Sequence, residues 1–142
     1  MGRILGIDYG DVRIGLALSD PLKIIASPFR TIQNRNNDFI LKELGSIINE
    51  KKIESLVIGL PIGLNNQDTI QTKKVRLFAD LIKILGAPIY FQDERLSSIS
   101  AKKSLIMQNI KTGTNKSMID KAAAAIFLQQ FIDSKNQNVK TL

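Results

Sequence analysis

The residues in this chain with the clearest capacity for chemistry are carboxylates set among apolar runs. Asp8 interrupts GIDYGDVRIGLALSD, a stretch that otherwise reads as buried strand; Asp93 and Glu94 follow the strand-like PIYFQ; Asp120 lies in KSMIDKAAAAIFLQQF. Strand parity groups Asp8 with Ile4 and Gly6 near the C-terminal end of its strand, where open α/β sheets keep their ligand sites. Alternation aims only one of Asp93 and Glu94 at any given face. Asp120 shares a helical stripe with Ala123, Ala124 and Phe127, so it faces the sheet, and the AAAA run beside it allows close approach of helix to sheet. Each acid has a plain structural role when taken singly. Asp8 can accept hydrogen bonds from the Gly10-Asp11 turn, Asp93 and Glu94 can favour the start of the next helix, and Asp120 can reciprocate with a Ser117 cap. Three acids at one rim, however, repel one another and lose hydration unless a cation sits among them. One or two Mg²⁺ or Mn²⁺ ions, which prefer oxygen ligands, would meet that need and support metal-assisted hydrolysis of a phosphodiester.

Composition narrows the chemistry further. The 142 residues include no histidine and no cysteine, which removes histidine-activated nucleophiles, thiol catalysis, disulfides and the usual nitrogen and sulfur zinc sites. Twenty Lys+Arg against thirteen Asp+Glu give a net charge of +7, and the residues after Ser100 hold seven lysines and two acids, or +5 of that total. This asymmetry points to an anionic partner, nucleic acid before a membrane surface. No aromatic stripe interleaves the basic residues, so stacking on bases is not indicated. The N-terminus lacks an apolar secretory core and no window approaches a membrane span, so an intracellular, cytoplasmic protein is expected.

The elements that must position these acids follow from periodicity. Arg3 to Tyr9 and Val12 to Ser19 read as a β-hairpin, and a third strand is expected between Lys23 and Gln33. A helix is expected over FILKELGSIINEKK, capped by Asn37 or Asp38. SLVIGLP reads as a strand buried on both faces, Thr69 to Leu85 as a helix stopped at Gly86-Ala87-Pro88, and PIYFQ as a strand. A helix over Ser97 to Met107, a basic loop NIKTGTNK, and a last helix over Ser117 to Ile132 complete the chain before a frayed polar tail. The fold class is therefore α/β: a five-stranded mixed sheet, with an antiparallel three-strand meander plus two parallel strands, flanked by helices. One domain is expected over residues 1–133, with 134–142 as the tail.

GIDYGDVRIGLALSD, VIGLP, DERLSS and KSMIDKAAAAIFL, in this order and spacing, resemble the motifs of the YqgF/RuvX family of Holliday-junction-resolvase-like nucleases. The resemblance runs from Arg3 to about Phe131. It implies an RNase H-like fold with acids at the rim, which fall here on Asp8, Glu94 with Asp93 as neighbour, and Asp120. It implies maturation of the 5′ end of 16S ribosomal RNA, or resolution of branched DNA. Arg13 and Arg95 are implied as phosphate or acid partners, and Lys116 takes a commonly basic position. The loop after VIGLP departs from the family pattern: Asn65 stands where Asp is common, and Asn66 and Thr69 where Gly is common. Among the basic residues, Lys111 and Lys116 are the expected nucleic-acid contacts, since they flank a loop beside the expected metal rim.

Three functions remain open on the sequence. The first is a metal-dependent nuclease acting on structured RNA or branched DNA, as a monomer or a homodimer. The second is a nucleotide-phosphate binder of the actin and sugar-kinase type, suggested by Asp8-Tyr9-Gly10 but opposed by a chain long enough for only one such domain. The third is a non-catalytic RNA-binding, ribosome-assembly module.

Overall fold

Alternating and continuous apolar runs pair into one sheet, and amphipathic helices cover both of its faces. The computed structural model describes residues 2–93 and 116–140. Strands β1 (Arg3–Tyr9), β2 (Arg13–Ser19) and β3 (Ala26–Gln33) form an antiparallel meander. Helix α1 (Asn37–Lys51) crosses to β4 (Ile53–Leu60), which lies parallel to β1, and α2 (Ile70–Ile82) crosses to β5 (Ile89–Asp93), parallel to β4. The strand order is β3-β2-β1-β4-β5, the mixed sheet that the sequence predicts.

Parity divides the core into two layers. Leu5 and Ile7 of β1, Ile14 and Leu16 of β2, and Leu56 and Ile58 of β4 pack with Ile40, Leu44 and Ile47 of α1 and Val75, Phe78 and Ile82 of α2. On the opposite face, Ile4, Ala17 and Val57 pack beneath Ala124, Phe127, Leu128 and Phe131 of the last helix, α3 (Lys116–Lys140). β4 is buried on both faces, as its unbroken apolar run requires.

The caps refine the sequence reading. Asn36, rather than Asn37 or Asp38, caps α1 by accepting a hydrogen bond from the Phe39 N–H, and Lys52 ends the helix in the left-handed region with its N–H donated to the Ile48 carbonyl. Thr69 caps α2 in a reciprocal box with Thr72. α2 tightens into a 3₁₀ turn at Lys83–Leu85 and stops at Gly86, φ 86°.

The last helix departs from expectation. It continues past Ile132 to Lys140, through the segment expected to be a frayed tail. Polarity alone does not end a helix, and SKNQNVK contains neither Gly nor Pro. Gln129 donates to Asp133 at 3.0 Å, and the Lys135 ammonium lies 5.1 and 5.2 Å from the ring centroids of Tyr90 and Phe131. The expected helix over Ser97 to Met107 and the basic loop after it lie outside the described residues.

Candidate active site at the C-terminal rim of the sheet

Asp8 is the penultimate residue of β1 and pairs across the ladder with Gly15 of β2. Residues directly opposite in an antiparallel pair point to the same face, with Cα atoms roughly 4.5–5.5 Å apart. For Asp8 and Gly15 that face is the α3 side, since a side chain on Gly15 would run into α3: a Cβ there would lie 2.3 Å from the carbonyl carbon and oxygen of Asp120 and 2.8 Å from the Lys121 nitrogen. The first described turns of α3 thus rest on the bare backbone of β2. Gly6 repeats the arrangement one turn further along, where a Cβ would meet the Leu128 Cβ at 2.9 Å and the Ala124 carbonyl at 3.1 Å. This contact seats the backbone of Asp120 above Gly15, the cross-strand neighbour of Asp8. Both acids are partly exposed at the rim.

A cation already stands there. Arg13, two residues before Gly15 and on its face, donates from Nε to Asp120 Oδ2 at 3.1 Å, with side chains 26% and 28% exposed. Of the two roles expected for Arg13, the structure shows partner to an acid. Asp120 answers to Arg13. The turn joining Asp8 to Arg13 is pinned from two sides. Asn34 donates its amide to the Gly10 carbonyl at 2.8 Å and its backbone N–H to the Val12 carbonyl at 2.9 Å, while Lys74 of α2 meets Asp11 at 3.2 Å.

Asp93 ends β5 opposite Leu60 of β4, a residue of the α1/α2 layer. Phe91, two residues earlier, lies under the Arg76 guanidinium of α2, whereas Tyr90 stacks against Phe131 of α3. β5 therefore assigns Asp93 to the side away from Asp8. Glu94, Arg95 and Lys111 lie outside the described residues; Lys116 is the first residue of α3, four before Asp120. Among the described residues no three acids form a metal-sized cluster. Register and the Gly15 contact put Asp8 and Asp120 on one face of the sheet, with Arg13 paired to Asp120. Sequence reasoning passed over Gly15, whose signal was a lone glycine in an apolar strand that must receive an alanine-rich helix.

The loop that departs from the family pattern is built by the very residues that differ. Asn65 and Asn66 both take left-handed conformations, φ 63° and 62°, which asparagine tolerates better than most residues. Thr69 has an extended φ of −88° and supplies the α2 cap, and Thr72 Oγ1 donates to the Pro61 carbonyl. Glycine is therefore dispensable at all three positions.

The RuvX family, described as Holliday junction resolvase, matches residues 2–134. This chain belongs to the RuvX family. Relatives within reach of direct alignment agree: a protein of Roseiflexus sp. (strain RS-1), named "Putative pre-16S rRNA nuclease", is 38% identical over 135 residues, covering 94% of this chain and 96% of its own. A protein of the same name from Dictyoglomus thermophilum is 36% identical over 135 residues, covering 94% and 97%. Among solved structures, T. thermophilus RuvC in complex with Holliday junction substrate superposes with a TM-score of 0.62 at 15% identity, covering 95% of this chain and 96% of that one. Fowlpox virus resolvase follows with 0.54 at 9% identity, covering 93% and 97%. At such identities the superpositions establish the fold, which this RuvX chain shares with resolvases of the RNase H-like class. No described helix of the RuvX chain is long and apolar enough to cross a membrane.

Proposed function

We propose that the protein is a divalent-metal-dependent nuclease that hydrolyses phosphodiester bonds in structured nucleic acid, with 5′-end maturation of precursor 16S ribosomal RNA as its role. What supports this reading is that Asp8 pairs with Gly15 and the backbone of Asp120 lies over that glycine, so that both acids belong to one face of the rim. Two hard oxygen donors on separate elements suit a hard cation. Bound there, Mg²⁺ or Mn²⁺ supplies Lewis-acid polarisation of a phosphoryl oxygen and a water of lowered pKa. Asp8 and Asp120 hold the ion. Alternation in β5 assigns Asp93 to the far side, so Glu94 is the third ligand in this reading. Arg13 and Arg95 orient substrate phosphates, and Lys111 and Lys116 bear on the nucleic-acid backbone outside the reacting centre.

The names of the curated relatives support ribosomal RNA as substrate. The family description and the junction-bound structural neighbour favour a second reading, cleavage of branched DNA, which would call for a homodimer to cut two strands symmetrically. The deciding experiment offers the purified protein and Asp8→Asn a precursor 16S RNA and a synthetic four-way DNA junction, with and without Mn²⁺. Metal-dependent trimming of the RNA by the wild type alone supports the first reading, and paired nicks in the junction support the second. Binding without cleavage by either protein would leave a non-catalytic assembly module and overturn both.

A further inference from the structure

Among the described residues, Arg13 and Asp120 form the least exposed ion pair. Lys83 and Asp80, with side chains 70% and 64% exposed, are two solvated groups about one helical turn apart. Arg13, in contrast, opens β2 in register with Gln33 of β3, beside a turn held by Asn34, and Asp120 is fixed because its backbone lies against Gly15. Both Cα positions are therefore set by the fold, and the guanidinium is presented to the carboxylate at a rim that Asp8 shares.

We propose that Arg13 is an exchangeable counter-cation: it neutralises Asp120 while the rim holds no metal, gives up that carboxylate when a divalent ion binds, and is thereby released toward a substrate phosphate. The proposal rests on the metal-dependent reading of the same site. The physical reason is competition. An ion held by Asp8 and Asp120 draws on the same Asp120 carboxylate charge as Arg13 Nε, and two cations on one carboxylate repel. A displaced guanidinium keeps a planar fork of donors suited to a phosphate, and its strand-anchored Cα keeps it within reach of the rim. Arg13 then suppresses Asp8–Asp120 repulsion before metal arrives and meets substrate charge afterwards. It acts on the metal through Asp120 and so is a positioning residue there.

The sign of one measurement separates this from a merely structural role. If Arg13 competes with the metal, R13Q binds Mn²⁺ more tightly than wild type, by about two- to fivefold, the factor that a partly exposed ion pair is worth. R13K, which keeps the charge, retains wild-type affinity. Calorimetric titration of the three proteins with Mn²⁺ alone reads this directly, and melting curves should show R13Q less stable than wild type without Mn²⁺ and raised further by it. If Arg13 instead only orients Asp120, R13Q binds Mn²⁺ more weakly. Wild-type binding with equal or weaker binding by R13Q overturns the exchange and leaves the nuclease reading standing, whereas no Mn²⁺ binding by any of the three overturns both. Should R13Q fail to fold, the Arg13 Nε–H resonance of the wild type decides under Mg²⁺ titration. It must leave its hydrogen-bonded position as the site fills, and an unmoved resonance overturns the proposal.

Discussion

Asp8 stands near the end of an apolar strand, at the partly exposed rim, and the arrangement around it shows what a carboxylate there achieves. Its ladder partner is a glycine, and the space above that glycine is filled by the backbone of Asp120. Asp8→Asn and Asp120→Asn preserve shape and remove charge. Each is expected to lower kcat by more than the roughly 10–100-fold that loss of an outer partner of a metal ligand costs, with RNA binding at fixed salt little changed; gel-shift and cleavage assays on one RNA separate the two quantities. The adjacent acids of DER should divide in the same assay. Glu94→Gln is expected to behave like Asp8→Asn and Asp93→Asn to retain most activity, because alternation in β5 turns Asp93 toward the α1/α2 layer.

At the scale of elements, the helix–sheet contact sets the distance between the two acids. Gly15→Ala forces a methyl group against helix backbone that cannot rotate away, so the whole of α3 must shift. The expected destabilisation is about 1–3 kcal/mol, the range for overpacking a core, read by urea unfolding. Mn²⁺ affinity should fall as well, since Asp120 moves with the helix. A variant that loses neither stability nor affinity would show that the contact is looser than its geometry states. The middle of α3 is tied down by Gln129, which accepts from the Ala26 N–H at 2.8 Å and donates to the Ile24 carbonyl at 2.9 Å, so a shift at Asp120 is resisted along the helix.

For the whole molecule, charge governs both stability and encounter. Asp20, Glu54 and Asp68 all titrate below their ordinary values: Asp20 because the Ile25 and Ile24 N–H groups donate to it, Glu54 because Lys23 does, and Asp68 because Arg76 does. A carboxylate depressed on folding contributes stability that is complete above its unfolded pKa and is lost as pH falls through the folded value. Stability is therefore expected to hold from neutrality down to about the ordinary carboxylate range and to fall below it, with Asp68→Asn showing a shallower decline in melting temperature between pH 5 and 3, roughly the interval over which such groups protonate. The net charge of +7 predicts salt-sensitive binding of Asp8→Asn to RNA, with log K falling linearly in log salt by about 0.7–0.9 per phosphate neutralised. A flat salt dependence would argue against a nucleic-acid partner.

The mixed sheet, its strand order class and the candidate acids were legible in the chain because period-two and period-3.6 patterns are local, and because a carboxylate in an apolar run is conspicuous. Asp8 could be put on the face of Ile4 and Gly6, and Asp120 on the stripe of Phe127, from spacing alone. The meeting of those two faces was implied by the family resemblance and could not be read from spacing. It depends on β1–β2 register, which pairs Asp8 with Gly15, and on a helix more than a hundred residues away settling onto that glycine. The same holds for Arg13, whose partner lies 107 positions distant, and for the end of α3, where aromatic rings from β5 and the helix itself hold Lys135 in a segment that polarity marks as tail. Local chemistry decided which residues could act; long-range packing, which no single window of sequence contains, decided which of them stand together.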